Sequence, residues 1–246
     1  MAGPLSLLAA GHLIRLPMNK NYDLSIIIPV LNEAEQLADR LQVLQPFRLC
    51  CQLLVVDGGS SDDSLAVAQG WVDQVLTSPR GRARQMNTGA ARAAAPVLLF
   101  LHADTRLPAD AITAIQHAVV QGHVWGRFDV AFDSTKSVFK LIAFMMNGRS
   151  RLTGVMTGDQ ALFVTRQVFA NIGGFPEIAL MEDIAISKRL KAIGKPACLP
   201  SKVVTSARRW LQQGILKTIL LMWRLRLAYF FGADPNRLAA RYYRRH

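Results

Sequence analysis

The chain has 246 residues and a formal net charge of +12, with 51% hydrophobic and 19% charged residues. So much apolar material excludes a disordered tail, and the length suits one large α/β domain or two small domains, of which we expect one. The three cysteines exclude a disulfide scaffold, because Cys50 and Cys51 are adjacent and poorly placed to bridge each other, and a cytoplasmic protein is expected.

The first residues do not resemble a secretory signal. Residues 1–14 carry no formal charge, and Arg15 and Lys20 follow the apolar run, whereas a signal has basic residues before it. We therefore expect residues 1–22 to form an N-terminal extension. No uninterrupted apolar stretch approaches the roughly 18 to 20 residues that span a bilayer.

The first two predicted units each contain an apolar strand, a polar loop and a helix. Leu24–Val30 is a β-branched run, and apolar residues then recur at helical spacing over Ala34–Leu44, with Asn32 as the expected helix cap. The second unit has the apolar run Leu53–Val56, a loop of small and acidic residues over Asp57–Asp63, and a following helix.

The same alternation continues along the chain. A third unit has a strand over 72–77 and a helix over 82–94, and a fourth begins with the strand Val97–Leu101. The alternation over residues 24–121 predicts a mostly parallel central sheet flanked by helices. Ligands of such sheets bind beyond the carboxyl ends of the strands, so the informative loops are 29–33, 57–63 and 102–106.

Past residue 121 the alternation loosens, and the final third is expected to be helical and basic. The predicted elements are a strand over Trp125–Phe132, a helix over about 137–151, a strand near 161–164, a helix over Glu182–Ile193 and a helix over about 210–231.

Acidic and imidazole side chains follow the second and fourth strands. Asp57 ends the second strand beside two glycines that let a ligand approach the backbone, whereas Asp62 is expected to be a first-turn acid of the next helix. His102 and Asp104 are two residues apart, so in an extended segment both point to one side. Such a pair suits a divalent ion that keeps open positions for phosphate.

Three other groups of residues have side chains suited to catalysis or ligand binding, and each also has a purely structural explanation. Glu182 and Asp183 open a helix, where paired acids either stabilise the helix dipole or supply a general base for a hydroxyl nucleophile. Arg84 either binds phosphate oxygens or forms part of a solvated basic face. The run Arg208–Trp210 can stack on a sugar or bind an anion.

Five segments, in order, resemble family 2 glycosyltransferases with the GT-A fold. They are Ser25–Glu33 (S-I-I-I-P-V-L-N-E), Val55–Asp62 (V-V-D-G-G-S-S-D), Gly81–Asn87 (G-R-A-R-Q-M-N), Phe100–Asp104 (F-L-H-A-D), and Gly173–Phe175 followed by Glu182–Asp183. The resemblance covers roughly residues 24–195. The motifs H-A-D-T, T-G-D-Q and R-R-W most resemble those of the small bacterial subgroup named for arsenosugar biosynthesis.

The resemblance implies a fold and a role for each matching residue. It implies a GT-A-like Rossmann-type α/β domain over residues 23–207. Apolarity and charge predict a basic amphipathic C-terminal helix and tail over 208–246. Asp183 would be the catalytic base, with Glu182 supporting it or meeting the acceptor, and Asp104 with His102 would bind Mn²⁺ or Mg²⁺. The expected donor nucleotide-binding residues are Pro29, Asn32, Glu33, Asp57, Gly58, Arg84, Asn87, His102 and Asp104, and the expected acceptor or diphosphate residues are Asp159, Gln160, Arg208, Arg209 and Trp210.

Three positions depart from the family pattern. Gly58 stands where the family often has a second acid that faces the base, which puts uridine in doubt as the nucleoside. His102 replaces the first acid of the D-x-D motif, so the metal has fewer carboxylates. Ser206 stands where the Q-x-x-R-W motif of processive relatives has Gln or Arg, which argues for single addition.

The predicted function is a metal-dependent inverting transfer of a sugar from a nucleotide-sugar donor to an acceptor hydroxyl. The helix over 210–231 is apolar and carries Lys217, Arg224 and Arg226. It either packs on the sheet domain or lies peripherally at the inner face of the membrane, where a lipid-linked acceptor becomes attractive.

Two other functions compete with this prediction. The pI near 10.3 would suit a non-catalytic basic module that binds an anionic membrane or nucleic acid. Acids at the predicted strand ends do not suit a phosphate-backbone binder, so no nucleic-acid partner is expected. A sugar nucleotidyltransferase usually has a glycine-rich loop after the first strand, where this chain has P-V-L-N-E.

Overall fold

The computed structural model describes residues 22–243; the expected N-terminal extension, apart from its last residue, lies outside the described residues, as do residues 244–246. The strands of the described part are β1 Leu24–Val30, β2 Cys51–Asp57, β3 Gln74–Thr77, β4 Val97–Phe100, β5 Trp125–Phe132, β6 Leu162–Thr165 and β7 Ala197–Thr205. Its helices are α1 Ala34–Val43, α2 Ser64–Ala68, α3 Arg82–Arg92, α4 Ala111–Val120, α5 Ser137–Thr153, α6 Arg166–Asn171, α7 Glu182–Ile193, α8 Arg208–Gln213, α9 Ile215–Phe230 and α10 Pro235–Tyr243.

The strands form one seven-stranded sheet in the order β3-β2-β1-β4-β6-β5-β7. The first four strands are parallel, β6 is antiparallel to both of its neighbours, and β5 is parallel to β7. The expected mostly parallel α/β sheet flanked by helices is therefore confirmed. Because β1, β2 and β4 are parallel, the loops that follow them lie at one edge of the sheet.

Both faces of the central strands are buried, which explains their continuous apolar sequences. Every residue of β2 is buried. Alternate residues of a strand point to opposite faces, and accordingly Leu53 and Val55 belong to one apolar cluster whereas Leu54 and Val56 belong to another. The two clusters lie on the two faces of the sheet, so the sheet forms a rigid platform for the loops at its edge.

The expectation that the final third is helical was wrong for β7, which spans Ala197–Thr205. This strand lies at the edge of the sheet, contains Pro200 and the exposed Lys202, and is only partly buried. Prolines and charged residues are typical of edge strands, whose unpaired side faces solvent, so the segment does not show the apolar run of a central strand.

The C-terminal extension packs on the sheet domain. The single helix expected over 210–231 is interrupted at Gly214, whose φ of +87° is in the left-handed region that favours glycine, so α8 and α9 are separate helices. Leu225 of α9 and Leu238 of α10 share a buried cluster with Met181, which precedes α7. Among the described helices, none is long and apolar enough to cross a membrane.

Candidate active site

The turn after β2 is organised by the carboxylate of Asp57. This side chain is 2% exposed and accepts hydrogen bonds from the N–H groups of Gly59 at 2.8 Å and Ser60 at 3.0 Å, and from the Ser60 hydroxyl. The N–H of Gly58 donates to the carbonyl of Val30 at 2.9 Å, which joins the turn to the end of β1. Asp57 therefore holds the conformation of this turn through hydrogen bonds to its backbone.

Hydrogen bonds join the loop after β1 to the loop after β2. Asn32 is not the helix cap that the sequence suggests: it has a φ of +54°, its side-chain oxygen accepts the N–H of Ser61 at 2.8 Å, and Glu33 is the N-cap of α1. The N–H of Glu33 donates to Ser64 Oγ at 2.9 Å, and the next N–H donates to Asp62 Oδ2 at 3.0 Å. The hydrogen bond that the Ser64 hydroxyl donates to Asp62, together with those from the N–H groups of Ala34 and Ser64, lowers the pKa of Asp62. Asp62 thus bridges two loops and is more than a first-turn acid.

Gln85 of α3 is a residue that the sequence reasoning missed. Its side chain is buried, and Nε2 donates to the carbonyls of Val30 at 2.7 Å and Val56 at 2.8 Å, near the carboxyl ends of β1 and β2. A Cβ added to Gly58 would lie 2.8 Å from Gln85 Cδ. The buried amide therefore fills space beside Gly58, which gives a physical reason for glycine at this position.

The loop after β4 meets the T-G-D-Q segment. His102 is nearly buried, and its Nδ1 lies 3.4 Å from Asp159 Oδ1. A Cβ on Gly158 would lie 2.4 Å from His102 Cε1, so only glycine permits this close approach. Burial opposes ionisation of Asp159, but the hydrogen bond and charge of His102, with Arg82 and Arg226, hold the pKa of Asp159 below its usual value.

The two acids that open α7 have different surroundings. Asp183 is half-buried; its Oδ2 accepts the N–H of Gly158 at 3.2 Å, and its Oδ1 accepts the N–H of Ile184 at 2.8 Å. Glu182 is 6% exposed and lies 3.8 Å from Arg82. Burial raises the pKa of Glu182, against the opposing charge of Arg82. Asp183 is therefore the more exposed of the two acids, whereas Glu182 is buried beside Arg82.

A second group of charges lies where β1, β4 and α8 meet. Glu33 Oε2 is 4.0 Å from the guanidinium of Arg208. Burial and the negative charge of Asp104 raise the pKa of Glu33, whereas Arg208 lowers it. Asp104 is half-buried and accepts a hydrogen bond from the Thr105 hydroxyl at 3.2 Å. The structure thus brings together predicted residues that are far apart in the sequence.

Two predicted nucleotide-binding residues of α3 have partners within the protein. Arg84 Nε lies 3.1 Å from Glu177, and both side chains are about half exposed. Asn87 donates to the carbonyl of Phe175 and accepts its N–H, both at 2.9 Å, and so anchors the G-G-F segment. The arginine of this helix that faces the α7 acids is Arg82.

Other predicted residues pack within the protein. Gln160 is fully buried and accepts the N–H of Thr157 at 3.2 Å. The Trp210 ring packs edge-on against Phe132 at 5.7 Å, and the Arg209 guanidinium lies 4.4 Å from the centre of the Tyr242 ring. Arg208 of the R-R-W run lies 4.0 Å from Glu33, in the loop at the carboxyl end of β1. Pro29 is half-buried in β1, paired with Val56.

A small cavity, partly open to solvent, lies between α3, the loop after β4 and the start of α7. Its polar lining consists of Arg82, His102, Glu182 and Asp183. Apolar side chains form the remaining walls, together with Gly158: Met86, Phe100, Met156, Leu162 and Phe175. The acids at α7 thus border a partly desolvated space, where charge interactions are stronger than in water.

The donor set at the β4 loop fits a metal shared with a phosphate ligand. Within residues 22–243 no three Asp, Glu, His or Cys side chains cluster as a closed metal site. Ions such as Mg²⁺ are commonly held by one or two carboxylates together with substrate phosphates. The half-buried carboxylate of Asp104 suits that arrangement, and an all-protein cage is not present in this part of the chain.

Comparisons with known proteins identify related sequences and folds. The profile of Glycosyl transferase family 2 matches residues 25–174. A mannosyltransferase from Pyrobaculum calidifontis, in complex with GDP-Man and Mn²⁺, is 18% identical with a TM-score of 0.63, over 85% of this chain and 62% of that chain. TarS (1–349) from S. aureus is 15% identical with a TM-score of 0.58, over 75% of this chain and 60% of that chain.

A third similar structure is glucosyl-3-phosphoglycerate synthase from Mycobacterium tuberculosis, in complex with Mn²⁺, UDP and glucosyl-3-phosphoglycerate. It is 16% identical with a TM-score of 0.55, over 75% of this chain and 71% of that chain. The present chain therefore spans less than two thirds of the length of the first two structures. The comparison with curated proteins gives no match.

Proposed function

Because the chain belongs to glycosyl transferase family 2, we propose that it transfers a sugar from a nucleotide-sugar donor to an acceptor hydroxyl, once per acceptor and with inversion at the anomeric carbon. The observation that carries this proposal is the position of Asp183, which borders the cavity beside His102 and is held by the N–H of Gly158. Family membership argues against the non-catalytic module and the nucleotidyltransferase as alternatives. Membership of the arsenosugar subgroup is part of this proposal, and it is supported by the motifs H-A-D-T, T-G-D-Q and R-R-W alone.

Asp183 is the proposed general base. Two N–H groups, those of Gly158 and Ile184, hold its carboxylate in one orientation. An acceptor hydroxyl at the cavity would give its proton to Asp183 and attack the anomeric carbon from the side opposite the nucleotide. Glu182 is the proposed supporting acid, and Arg82 balances its charge.

The donor nucleotide is proposed to lie across the ends of β1 and β2. Pro29, Asn32 and Glu33 follow or end β1, and the Asp57–Gly58 turn ends β2. In this proposal Asn87 and Gln160 act as positioning residues, because each already binds the backbone of a neighbouring loop.

Asp104, with His102 beside it, is proposed to hold Mn²⁺ or Mg²⁺ together with the donor diphosphate. When bound, such an ion neutralises negative charge that develops on the leaving diphosphate. Two of the similar structures contain Mn²⁺ with GDP-Man or UDP, which supports a divalent ion here. Arg208, near Glu33, is the proposed second positive group at the diphosphate.

The test combines nucleotide binding with turnover. Wild type, Asp104→Asn, Asp183→Asn and the control Asp39→Asn, an exposed acid of α1, are compared in thermal shift with nucleoside diphosphates, with and without Mn²⁺. We expect metal-dependent stabilisation by one nucleotide, lost only in Asp104→Asn. Asp183→Asn should keep nucleotide binding and lose turnover of the matching nucleotide sugar by about 10² to 10⁴. The proposed function would be refuted if none of the nucleotides stabilised the wild-type protein.

We also propose a peripheral membrane contact through α9, favoured by one specific observation. The outer face of α9 carries a stripe of side chains that are 59% to 76% exposed: Leu216, Leu220, Trp223, Leu227 and Phe230. No acidic residue occurs between Arg208 and Ala233. An apolar helix face flanked by cations suits a bilayer with anionic headgroups.

This contact is tested by sedimentation with vesicles. Wild type should bind vesicles that contain phosphatidylglycerol, and Leu220→Ser with Trp223→Ser should weaken that binding. The matched control is Leu49→Ser, an exposed leucine in the loop before β2. Equal sedimentation with and without vesicles would exclude the contact and leave the transferase proposal unchanged.

A further inference from the structure

Two arginines, Arg149 near Asp183 and Arg226 near Asp159, have no carboxylate partner within 4 Å among residues 22–243. Arg149, near the end of α5, donates from Nη1 to the carbonyl of Val155 at 3.4 Å. Its Nη2 is buried and has no hydrogen-bond partner in the described part of the chain. Arg226 is a half-buried residue of α9. Guanidinium groups form their strongest contacts with paired oxyanions, and no carboxylate of the described residues is close enough to be that partner.

Both arginines belong to the surroundings of Asp183. Val155 lies three residues before Gly158, whose N–H donates to Asp183. On the other side, α9 packs against the start of α7, where Leu225 contacts the cluster of Met181. Burial and the charge of Asp183 raise the pKa of Tyr229, one turn after Leu225. The end of α5 and the middle of α9 therefore approach the proposed base together.

Arg149 has more cations than acids around it, and the acid on which Arg226 acts is Asp159. Burial and the neighbouring cations Arg226 and Arg127 lower the pKa of Arg149 to about 10, against the opposing charge of Asp183. The nearby carboxylate of Asp129 is already shared by two other arginines: it contacts Arg127 and lies 2.7 Å from Arg151. Like charges held together in a partly buried place are unfavourable, and a bound anion would relieve them.

The two arginines are distinct from the charges at the proposed diphosphate position. The charged groups that act on Glu33 are Asp104, Arg208, Asp62 and Arg40. Neither Arg149 nor Arg226 is among them. The cations at the base and the charges at the β4 loop thus form two groups, with Asp183 beside the first.

We propose that Arg149 and Arg226 bind an anionic group of the acceptor, a phosphate or a carboxylate close to the hydroxyl that Asp183 deprotonates. This inference rests on the proposed function, and it narrows the acceptor to an anionic hydroxyl compound. The anionic group belongs either to a soluble molecule or to a lipid headgroup. Holding it at two guanidinium groups would place the neighbouring hydroxyl at the base.

The experiment uses glycerol 3-phosphate as a soluble probe, glycerol as its uncharged counterpart, and phosphatidylcholine vesicles with or without phosphatidic acid. Binding to the full chain is measured for wild type, Arg149→Gln and Arg226→Gln. Arg224→Gln is the matched control, because Arg224 is an exposed arginine two residues away on the same helix. Binding of the best nucleoside diphosphate with Mn²⁺ is measured in parallel on every variant.

We expect glycerol 3-phosphate or phosphatidic acid, but not glycerol or phosphatidylcholine alone, to bind wild type and Arg224→Gln. Each of the two arginine variants should lose about tenfold or more in affinity for that probe and keep its affinity for the nucleotide. If the two variants lose affinity for glycerol 3-phosphate, the acceptor is a soluble molecule. If they lose affinity for phosphatidic acid alone, the acceptor is a lipid headgroup. Arg226→Gln changes a half-exposed helix position, so its result does not depend on whether Arg149→Gln folds.

Three results would overturn the proposal. The first is equal binding of both probes to wild type and to the two variants. The second is loss of nucleotide binding in Arg226→Gln, which would assign the pair to the donor diphosphate. The third is normal nucleotide binding with no response to either phosphate probe, which removes this inference and leaves the transferase proposal standing. Failure of nucleotide binding in wild type would instead remove the proposed function.

Discussion

Replacing Gln85 by leucine tests how the ends of β1 and β2 are held together. The buried amide donates to the carbonyls of Val30 at 2.7 Å and Val56 at 2.8 Å. Leucine has a similar size and helix propensity, so the change removes two hydrogen bonds without a large cavity. At about 0.5 to 1.5 kcal/mol for each hydrogen bond, we expect the free energy of unfolding to fall by about 1 to 3 kcal/mol.

The assay is urea unfolding followed by circular dichroism. With a slope of about 1 to 3 kcal/mol per molar for proteins of this kind, the expected loss moves the midpoint by about 1 M at an unchanged slope. The control is Gln42→Leu, the same change at an exposed position of α1, which should stay within about 0.5 kcal/mol of wild type. An equally small effect of Gln85→Leu would refute the reasoning that this amide joins the two strands.

Three further predictions concern the cavity and the core. Gly158→Ala places a Cβ 2.4 Å from His102 Cε1, so turnover should fall at least tenfold while the circular dichroism spectrum stays native; normal turnover would contradict the close contact. Burial raises the folded-state pKa of Glu182 above its ordinary value of 4.5, so its contribution to stability is largest below that value and is lost as pH rises through the folded pKa. Urea unfolding should therefore show Glu182→Gln gaining stability relative to wild type between pH 4 and pH 8, and a pH-independent difference would exclude this. Burial also raises the pKa of the fully buried Cys51 thiol, so iodoacetamide at pH 8 should alkylate the half-buried Cys50 and Cys198 first and Cys51 only in urea, as read by mass spectrometry; early labelling of Cys51 would contradict its burial.

The alternation of strands and helices follows from the sequence because it depends on local patterns. β5 and α7 begin and end at the predicted residues, and the strands of the parallel half lie within a few residues of their predicted positions. Burial on both faces requires continuous apolar runs, and these are visible in a single sequence. The position of the site followed from the same pattern, because parallel strands end at one edge.

The partners of individual side chains were decided by tertiary structure. Asn32 and Asn87 have suitable chemistry for a ligand, but each binds a backbone group brought close by the fold. The position of Gln85 between two strand ends depends on the packing of α3 against the sheet, which no local pattern records. Such contacts join residues far apart in the chain, so the residue type alone does not reveal them.

The C-terminal extension shows the same division. The sequence determined that the segment after residue 208 is basic, apolar and helical, since these are properties of composition and period. Only the tertiary structure decided that α9 packs beside α7 and brings Arg226 near Asp159 and Arg149, while the stripe from Leu216 to Phe230 faces outward. The physical reason is that a helix apolar on most of its surface has several possible inner faces, and the packing surface selects one of them.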